Sequence, residues 1–259
     1  IMKQLLFWMV LIVGIVALIG SCAKKDDSTA ATATATASTP TSCSSTASGS
    51  ITGVDNQSLS GSYSVMSQYV LYSGVDNDTG CVSSTGIMAG FSSHVASGAG
   101  SFNYFRVVTS STTYAIVLKN YTDTACSSEM SSLVIGYTDV AIGDNVTGLT
   151  TGAASNGTTG TKATSKQYCM KGKGTTDNGT AWLNTYTSAS GINWVTGEEQ
   201  ITGASGSTYY HLWHSDNSSQ TSDGSNYSNY VGNSWRERQS TSGYPTDWTD
   251  SGALDAFQR

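Results

Sequence analysis

Two patterns of apolar spacing divide this chain of 259 residues. Residues 5–19 (LLFWMVLIVGIVALI) are almost unbroken apolar sequence, preceded by Met2, Lys3 and Gln4. A run of about 15 is shorter than the roughly 20 residues that span a bilayer, and it has the proportions of a signal-peptide core. From residue 51 onward the apolar positions come in short runs rich in β-branched and aromatic residues, bounded by Gly, Ser, Asn and Asp. "GSYSVMSQYVLYS" (61–73), "SFNYFRVVT" (101–109), "TYAIVLKN" (113–120) and "SSLVIGYTD" (131–139) each predict a strand. Residues 101–120 read as a hairpin, with Phe102, Tyr104, Arg106 and Val108 on one face and Asn103, Phe105 and Val107 on the other. "TAWLNTYTS" (180–188), "GINWVTG" (191–197), "STYYHLWHS" (207–215) and "SNYVGNSWRER" (228–238) continue in the same style. No later run of twelve or more residues keeps a 3.6-residue apolar period. The predicted fold is all-β, an antiparallel barrel or sandwich.

Between these parts, residues 28–50 (STAATATATASTPTSCSSTASGS) hold no large apolar side chain and predict a flexible tether. Cys43 is the exception, since a disulfide there would pin the distal half of the tether to the body. "TGLTTGAASNGTTGTKATS" (147–165) is low in complexity and predicts a long loop or a sub-domain boundary. The expected division is therefore 1–21, 22–50 and 51–259.

The seam at "IGSCAKKDD" (19–27) explains a cysteine that would otherwise stand alone. Ile19-Gly20-Ser21-Cys22 resembles the bacterial lipobox, in which a branched apolar residue and two small ones precede a cysteine. The resemblance implies cleavage before Cys22, diacylation of its thiol and acylation of the new amino terminus. Each buried CH₂ of an acyl chain is worth about 0.8 kcal/mol, so several chains on one residue anchor firmly without a spanning helix. Ala23 stands where an aspartate would signal inner-membrane retention, which favours the outer membrane. The membrane is thus an expected partner through the anchor.

Composition narrows the partners further. Charged residues are 12% and the net charge is −6, whereas globular domains carry roughly 25% charged residues. A weakly charged, net acidic body argues against nucleic acid or anionic lipid as a ligand. Aromatic residues reach 10%, too many for a disordered chain.

Four cysteines remain besides Cys22: Cys43, Cys81, Cys126 and Cys169. An even number in an exported chain predicts two disulfides, with three connectivities open. Cys81 with Cys126 and Cys43 with Cys169 is the favoured set. No spacing is a CxxC, so a zinc or thioredoxin-like redox site is not expected.

Gly61-Ser62-Tyr63, Cys81 and Tyr121-Thr122-Asp123-Thr124-Ala125-Cys126, with a short strand and "AIGD" following, resemble small secreted lipocalin-like domains over residues 59–170. The resemblance implies a barrel and a Cys81–Cys126 pair. Tyr63 stands where those domains carry a tryptophan.

Chemistry-bearing motifs are few. His94, His211 and His214 are the three histidines. His211 and His214 are spaced for one helix face, but "STYYHLWHSD" reads as a strand, where positions three apart face opposite ways. Glu198-Glu199 oppose each other on a strand in the same manner. Asp216, Asp223, Asp247 and Asp250 are the other acids a glycoside hydrolase could draw on. Asp76-Asn77-Asp78 starts like a calcium loop, with Gly80 at the wrong offset. No G-x-S-x-G elbow and no phosphate-binding loop occur, and a serine triad must be recognised by geometry. No catalytic set, metal site or cofactor is expected.

The aromatics carry more information. Five of six tryptophans (Trp182, Trp194, Trp213, Trp235 and Trp248) fall in the last third, interleaved with tyrosines such as Tyr209 and with neutral polar residues. Flat rings beside neutral hydrogen-bonding groups suit stacking on sugars, so these five and Tyr209 are the candidate ligand residues. The competing role is to fill the core of a domain poor in Leu and Ile. The expected function is a membrane-anchored envelope lipoprotein that binds a glycan or a small apolar ligand. The alternatives are a structural or adhesive lipoprotein with a protein partner, and a hydrolase with a dispersed site.

Overall fold

Thirteen strands and one α-helix make up most of the regular structure among the residues that the computed structural model describes: 40, 42–65, 75–76, 80–84, 89–150, 158–204, 206–216, 234–248 and 253–258. All lie in the second of the chain's two units, Ser38–Arg259. Cys22 lies outside the described residues, as do Asn77, Asp78, Asp223 and Asp250.

Strands β1 (Ser50–Val54) and β2 (Gln57–Ser60) form a hairpin of their own. Its turn residues Asp55 and Asn56 have φ of 50° and 61°. Such left-handed pairs match the twist of the flanking strands, and Asp and Asn tolerate them better than other side chains.

The remaining strands belong to one antiparallel sheet. They are β3 (Ser62–Val65), β4 (Val75–Asp76), β5 (Cys81–Ser83), β6 (Ser101–Val108), β7 (Tyr114–Tyr121), β8 (Glu129–Thr147), β9 (Thr159–Gly174), β10 (Glu199–Gly203), β11 (Thr208–Asp216), β12 (Ser234–Ser240) and β13 (Ala253–Gln258). Strand β3 pairs with β13 on one edge and with β6 on the other. The neighbours therefore run β3, β6, β7, β8, β9, β11, β12, β13 and back to β3, an up-and-down antiparallel barrel. The all-β class is the one the apolar pattern predicts, and of its two expected forms, barrel and sandwich, the pairing gives the barrel.

Alternation decides what fills it. The expected 101–120 hairpin forms, with Val108 opposite Tyr114, and Phe102, Tyr104 and Val108 join Tyr63, Tyr114, Leu118, Leu133, Trp213 and Trp235 in the inner core. On the outer face Val107, Ala115, Val117 and Val134 pack with Cys43 and Cys169. Between Gly136↔Cys169 and Tyr137↔Gln167 the register slips by one, leaving Tyr168 without a ladder partner. Such a bulge reverses the inside–outside order of β9 beyond it, which is why Cys169 faces outward.

Two disulfides fasten the body. Cys43 joins Cys169, with Cα atoms 5.8 Å apart, and Ser48 N donates to Val108 O at 2.9 Å. The distal part of the expected tether is thus laid against the barrel wall. Cys81 joins Cys126, with Cα atoms 5.9 Å apart. The Asp123 carboxylate accepts from Ala125 N at 2.7 Å and Ser128 N at 2.6 Å, closing the turn that presents Cys126. Two such bonds belong to an oxidising, non-cytoplasmic compartment.

Three expectations are corrected, one being the run at 191–197, which forms no strand and only an isolated bridge from Thr196 to Gly174. Residues 159–165, predicted within a loop, are the start of β9 and pair with both β8 and β11. "TAWLNTYTS", predicted as strand, belongs to helix α1 (Asp177–Tyr186). Thr176 caps it, its Oγ1 accepting from Gly179 N at 3.1 Å. The buried face is Gly179, Thr180, Trp182 and Leu183, and a Cβ on Gly179 would collide with the Met130 carbonyl of β8. Threonines and aromatics favour strands in isolation. The cap and this close approach override them.

Candidate functional site

The candidate rings are placed by the two faces of the sheet. Trp213 and Trp235 are 0% exposed, and their centroids meet edge-to-face at 5.0 Å among Tyr63 and Tyr114. Trp248 is also 0% exposed, packed with Leu212 and Leu149. Trp194 (3%) donates from Nε1 to Thr187 Oγ1 at 2.7 Å. Trp182 (7%) donates from Nε1 to Ser93 O at 2.9 Å. These five rings fill the core, because a chain short of Leu and Ile needs their area to exclude water. Tyr209 is half-buried, and burial raises its pKa.

Helix α1 borders two cavities. The first, about 270 Å³, lies between the sheet and the end of α1 and is lined by Ile135, Gln167, Met170, Tyr186, Ser190 and Tyr209, among others. Tyr209 donates to Gln167 Oε1 at 3.2 Å across its wall. The second, about 330 Å³, brings Trp182 together with Ser92, Ser93, Ser97, Asn178 and Thr185. Tyr209 and Trp182 are the candidate residues that reach a cavity. Tyr186 joins the two sites, stacking on Trp182 at 5.2 Å and lining the first cavity.

Deeper in the barrel lies a polar cluster. Glu237 follows Trp235 by two residues on β12 and so shares its inward face. It pairs with Arg106 and accepts from Trp213 Nε1 at 3.1 Å. His211 Nδ1 lies 3.1 Å from Glu237 Oε1, and its Nε2 lies 2.8 Å from Ser165 Oγ. A carboxylate only accepts, so the ring proton sits on Nδ1 and Nε2 accepts from the serine hydroxyl. Burial, and then the Arg106 charge, hold the His211 pKa well below 6.5, and the ring is neutral. Tyr114 OH stands 3.4 Å from Ser165 Oγ. Tyr137, stacked on Tyr114 at 4.7 Å, has its pKa raised well above 10 by burial, so its hydroxyl keeps its proton.

His214 faces the opposite way, as the strand reading requires. Its Nδ1 lies 2.6 Å from Asp55 Oδ2, Ser215 N donates to the same oxygen at 3.1 Å, and Asp55 N donates to Thr161 Oγ1 at 2.8 Å, which docks the β1–β2 turn on β11 and β9. Glu198 and Glu199 are both exposed. Asp247 accepts from Thr150 N at 2.9 Å. Among the described residues no three His, Cys, Asp or Glu side chains gather to hold a metal ion.

The Ser165–His211–Glu237 row was not legible as a site in the sequence. "SWRERQS" and "STYYHLWHS" carry the alternation that sets His211, Trp213, Trp235 and Glu237 inward, but Ser165 sits in a Thr/Ser run with no local mark. No protein-family model and no curated protein matches the chain.

Proposed function

We propose that the protein is an envelope lipoprotein, anchored through acyl chains on Cys22, whose barrel binds a small apolar ligand in the cavity beside Tyr209. The observation that carries this is the composition of that cavity. Ile135, Met170, Ala189, Ala204 and the rings of Tyr186 and Tyr209 supply apolar surface, while Gln167, Thr187 and Ser190 supply hydrogen-bonding groups. Concave, mainly apolar sites with a few polar groups are the common form of small-ligand pockets, and barrel mouths are a common place for them. The up-and-down topology and the Cys81–Cys126 bond support the lipocalin-like reading, with the barrel extending past residue 170 through β11, β12 and β13. The lipobox at 19–22 and the absence of aspartate at Ala23 support an outer-membrane anchor.

A glycan is the second reading, and the cavity at Trp182 favours it. There an indole stands beside five neutral hydrogen-bonding side chains, the chemistry that suits a sugar's apolar face and its hydroxyls.

Native mass spectrometry of the full chain, extracted from membranes in detergent, tests both. A stoichiometric extra mass that leaves on denaturation, and is lost in Met170→Trp, is expected for the first. A mass that survives Met170→Trp but is lost in Trp182→Ala assigns the glycan reading. A bare protein that binds nothing from lipid and oligosaccharide panels overturns both.

A further inference from the structure

Behind the wall of the Tyr209 cavity stands a row of groups that ligand binding does not use. Ser165 Oγ contacts His211 Nε2 at 2.8 Å, and His211 Nδ1 contacts Glu237 Oε1 at 3.1 Å. Hydroxyl to base, and base to orienting carboxylate, is the order of contacts that activates a serine nucleophile. The neutral ring, protonated on Nδ1, is the form able to take the hydroxyl proton. Tyr114 OH, 3.4 Å from Ser165 Oγ, is within reach of the oxygen on which charge builds when a carbonyl is attacked there.

All three side chains are sealed from water, with Ser165 and His211 at 0% and Glu237 at 1% exposure. The seal on the cavity side is thin. Tyr209 is the cross-strand partner of Ser165 between β11 and β9, and Gln167 is two residues along β9 on the same face. Both line the cavity, and one 3.2 Å hydrogen bond joins them. The relay therefore lies one side-chain layer beneath a small-molecule site.

We propose that Ser165 is a nucleophile toward small uncharged carboxylic esters, and that the Tyr209–Gln167 hydrogen bond closes the way to it. Ile135, Met170, Ala189 and Ala204 receive the acyl chain. As Ser165 Oγ bonds to the acyl carbon, its proton passes to His211 Nε2. The bond to the alcohol then breaks, and Nε2 returns the proton to the leaving oxygen. Water repeats the cycle on the acyl-serine, losing its proton to Nε2, and releases the carboxylic acid as Ser165 recovers its hydrogen. Glu237 is a positioning residue that acts through the ring. The titratable and charged groups that face His211 are Glu237 from β12, Arg106 from β6, Tyr114 from β7, and Tyr209 from its own strand.

The test is covalent labelling of the full chain with diisopropyl fluorophosphate, located by peptide mass mapping. A single adduct on Ser165 is expected. Labelling in Gln167→Ala should be about two- to tenfold faster, the range that one opened hydrogen bond allows. Tyr209→Ala should also be faster, and His211→Gln should remove the adduct. In Glu237→Gln the pH profile of labelling should move to lower pH, and an unmoved profile overturns the relay. Near-UV circular dichroism from the buried tryptophans certifies folding, and Gln167→Ala decides alone if Tyr209→Ala does not fold. The inference is overturned if the folded wild type and the opened variants carry no adduct on Ser165, or carry one only on another residue. The covalent mass persists on denaturation, whereas a cavity ligand leaves, so this result and that of the binding reading stand apart.

Discussion

Arg106 of β6 and Glu237 of β12 pair inside the barrel with both side chains almost wholly out of water. Glu237 is further held by Trp213 Nε1 and His211 Nδ1, and the Arg106 guanidinium lies 5.2 Å from the Trp235 ring centroid. A buried pair whose carboxylate also accepts from two neighbouring rings holds a single core arrangement, since any other leaves a charge stranded.

Removing one partner should therefore be costly. Arg106→Met is expected to destabilise by about 3–5 kcal/mol, because Glu237 stays buried without its cation. The double variant Arg106→Met, Glu237→Gln should recover part of that loss, because a neutral amide needs no cation and its oxygen still accepts from a neighbouring ring donor. Urea midpoints of the three proteins check it, and a double variant no better than the single would refute the argument.

Acid should weaken the fold through His211. The folded state holds the ring neutral, with its pKa well below the 6.5 of an unfolded chain. Below pH 6.5 the unfolded chain thus binds more protons than the folded one, so stability falls as pH drops. The contribution is fully present above pH 6.5 and is lost progressively beneath it. Denaturation midpoints from pH 8 to 5 should show this slope, and His211→Gln should flatten it.

The Cys43–Cys169 bond closes a span of 126 residues. Chain entropy for such a loop gives roughly 5 kcal/mol, and loss of a native disulfide commonly costs about 2–5 kcal/mol. Cys43→Ser should lower the melting temperature and expose residues 44–48 to proteolysis, both readable on one gel and one thermal scan. Unchanged cleavage would mean that packing alone holds this segment.

Helix α1 should depend on Gly179. Ala at this position would drive a methyl group into the Met130 carbonyl, so Gly179→Ala is expected to destabilise although alanine is the better helix former. Thr176→Ala, which removes only the cap, should cost about 1 kcal/mol. Thermal melts of both rank them, and a stabilised Gly179→Ala would disprove the close contact.

At the amino terminus, Cys22→Ala should move the protein from the detergent phase to the aqueous phase, or leave it uncleaved. Phase partitioning with an intact-mass measurement decides, and unchanged partitioning of a cleaved chain would sink the lipid anchor.

Particular elements explain how much was legible. Period-two alternation in "SFNYFRVVT" and "STYYHLWHS" placed strands correctly and separated His211 from His214, because strand geometry is local. The same reasoning missed α1, where a single threonine cap and a glycine contact outweigh the strand preference of Thr, Trp and Tyr. It placed 159–165 in a loop because Thr, Ser and Gly pair well only when neighbouring strands already supply the ladder.

By itself, then, the sequence determined paired cysteines, an all-β body and the alternating faces of runs such as 101–108 and 207–215. Composition and spacing act within a few residues, and those properties need no more. Only the tertiary structure decided which faces meet. The strand register joins Ser165 to His211 across 46 residues and closes β3 onto both β6 and β13. It also turns Trp213 and Trp235 inward and leaves Tyr209 at the cavity wall. Register is set by the summed packing of the whole barrel, and no local stretch encodes that sum.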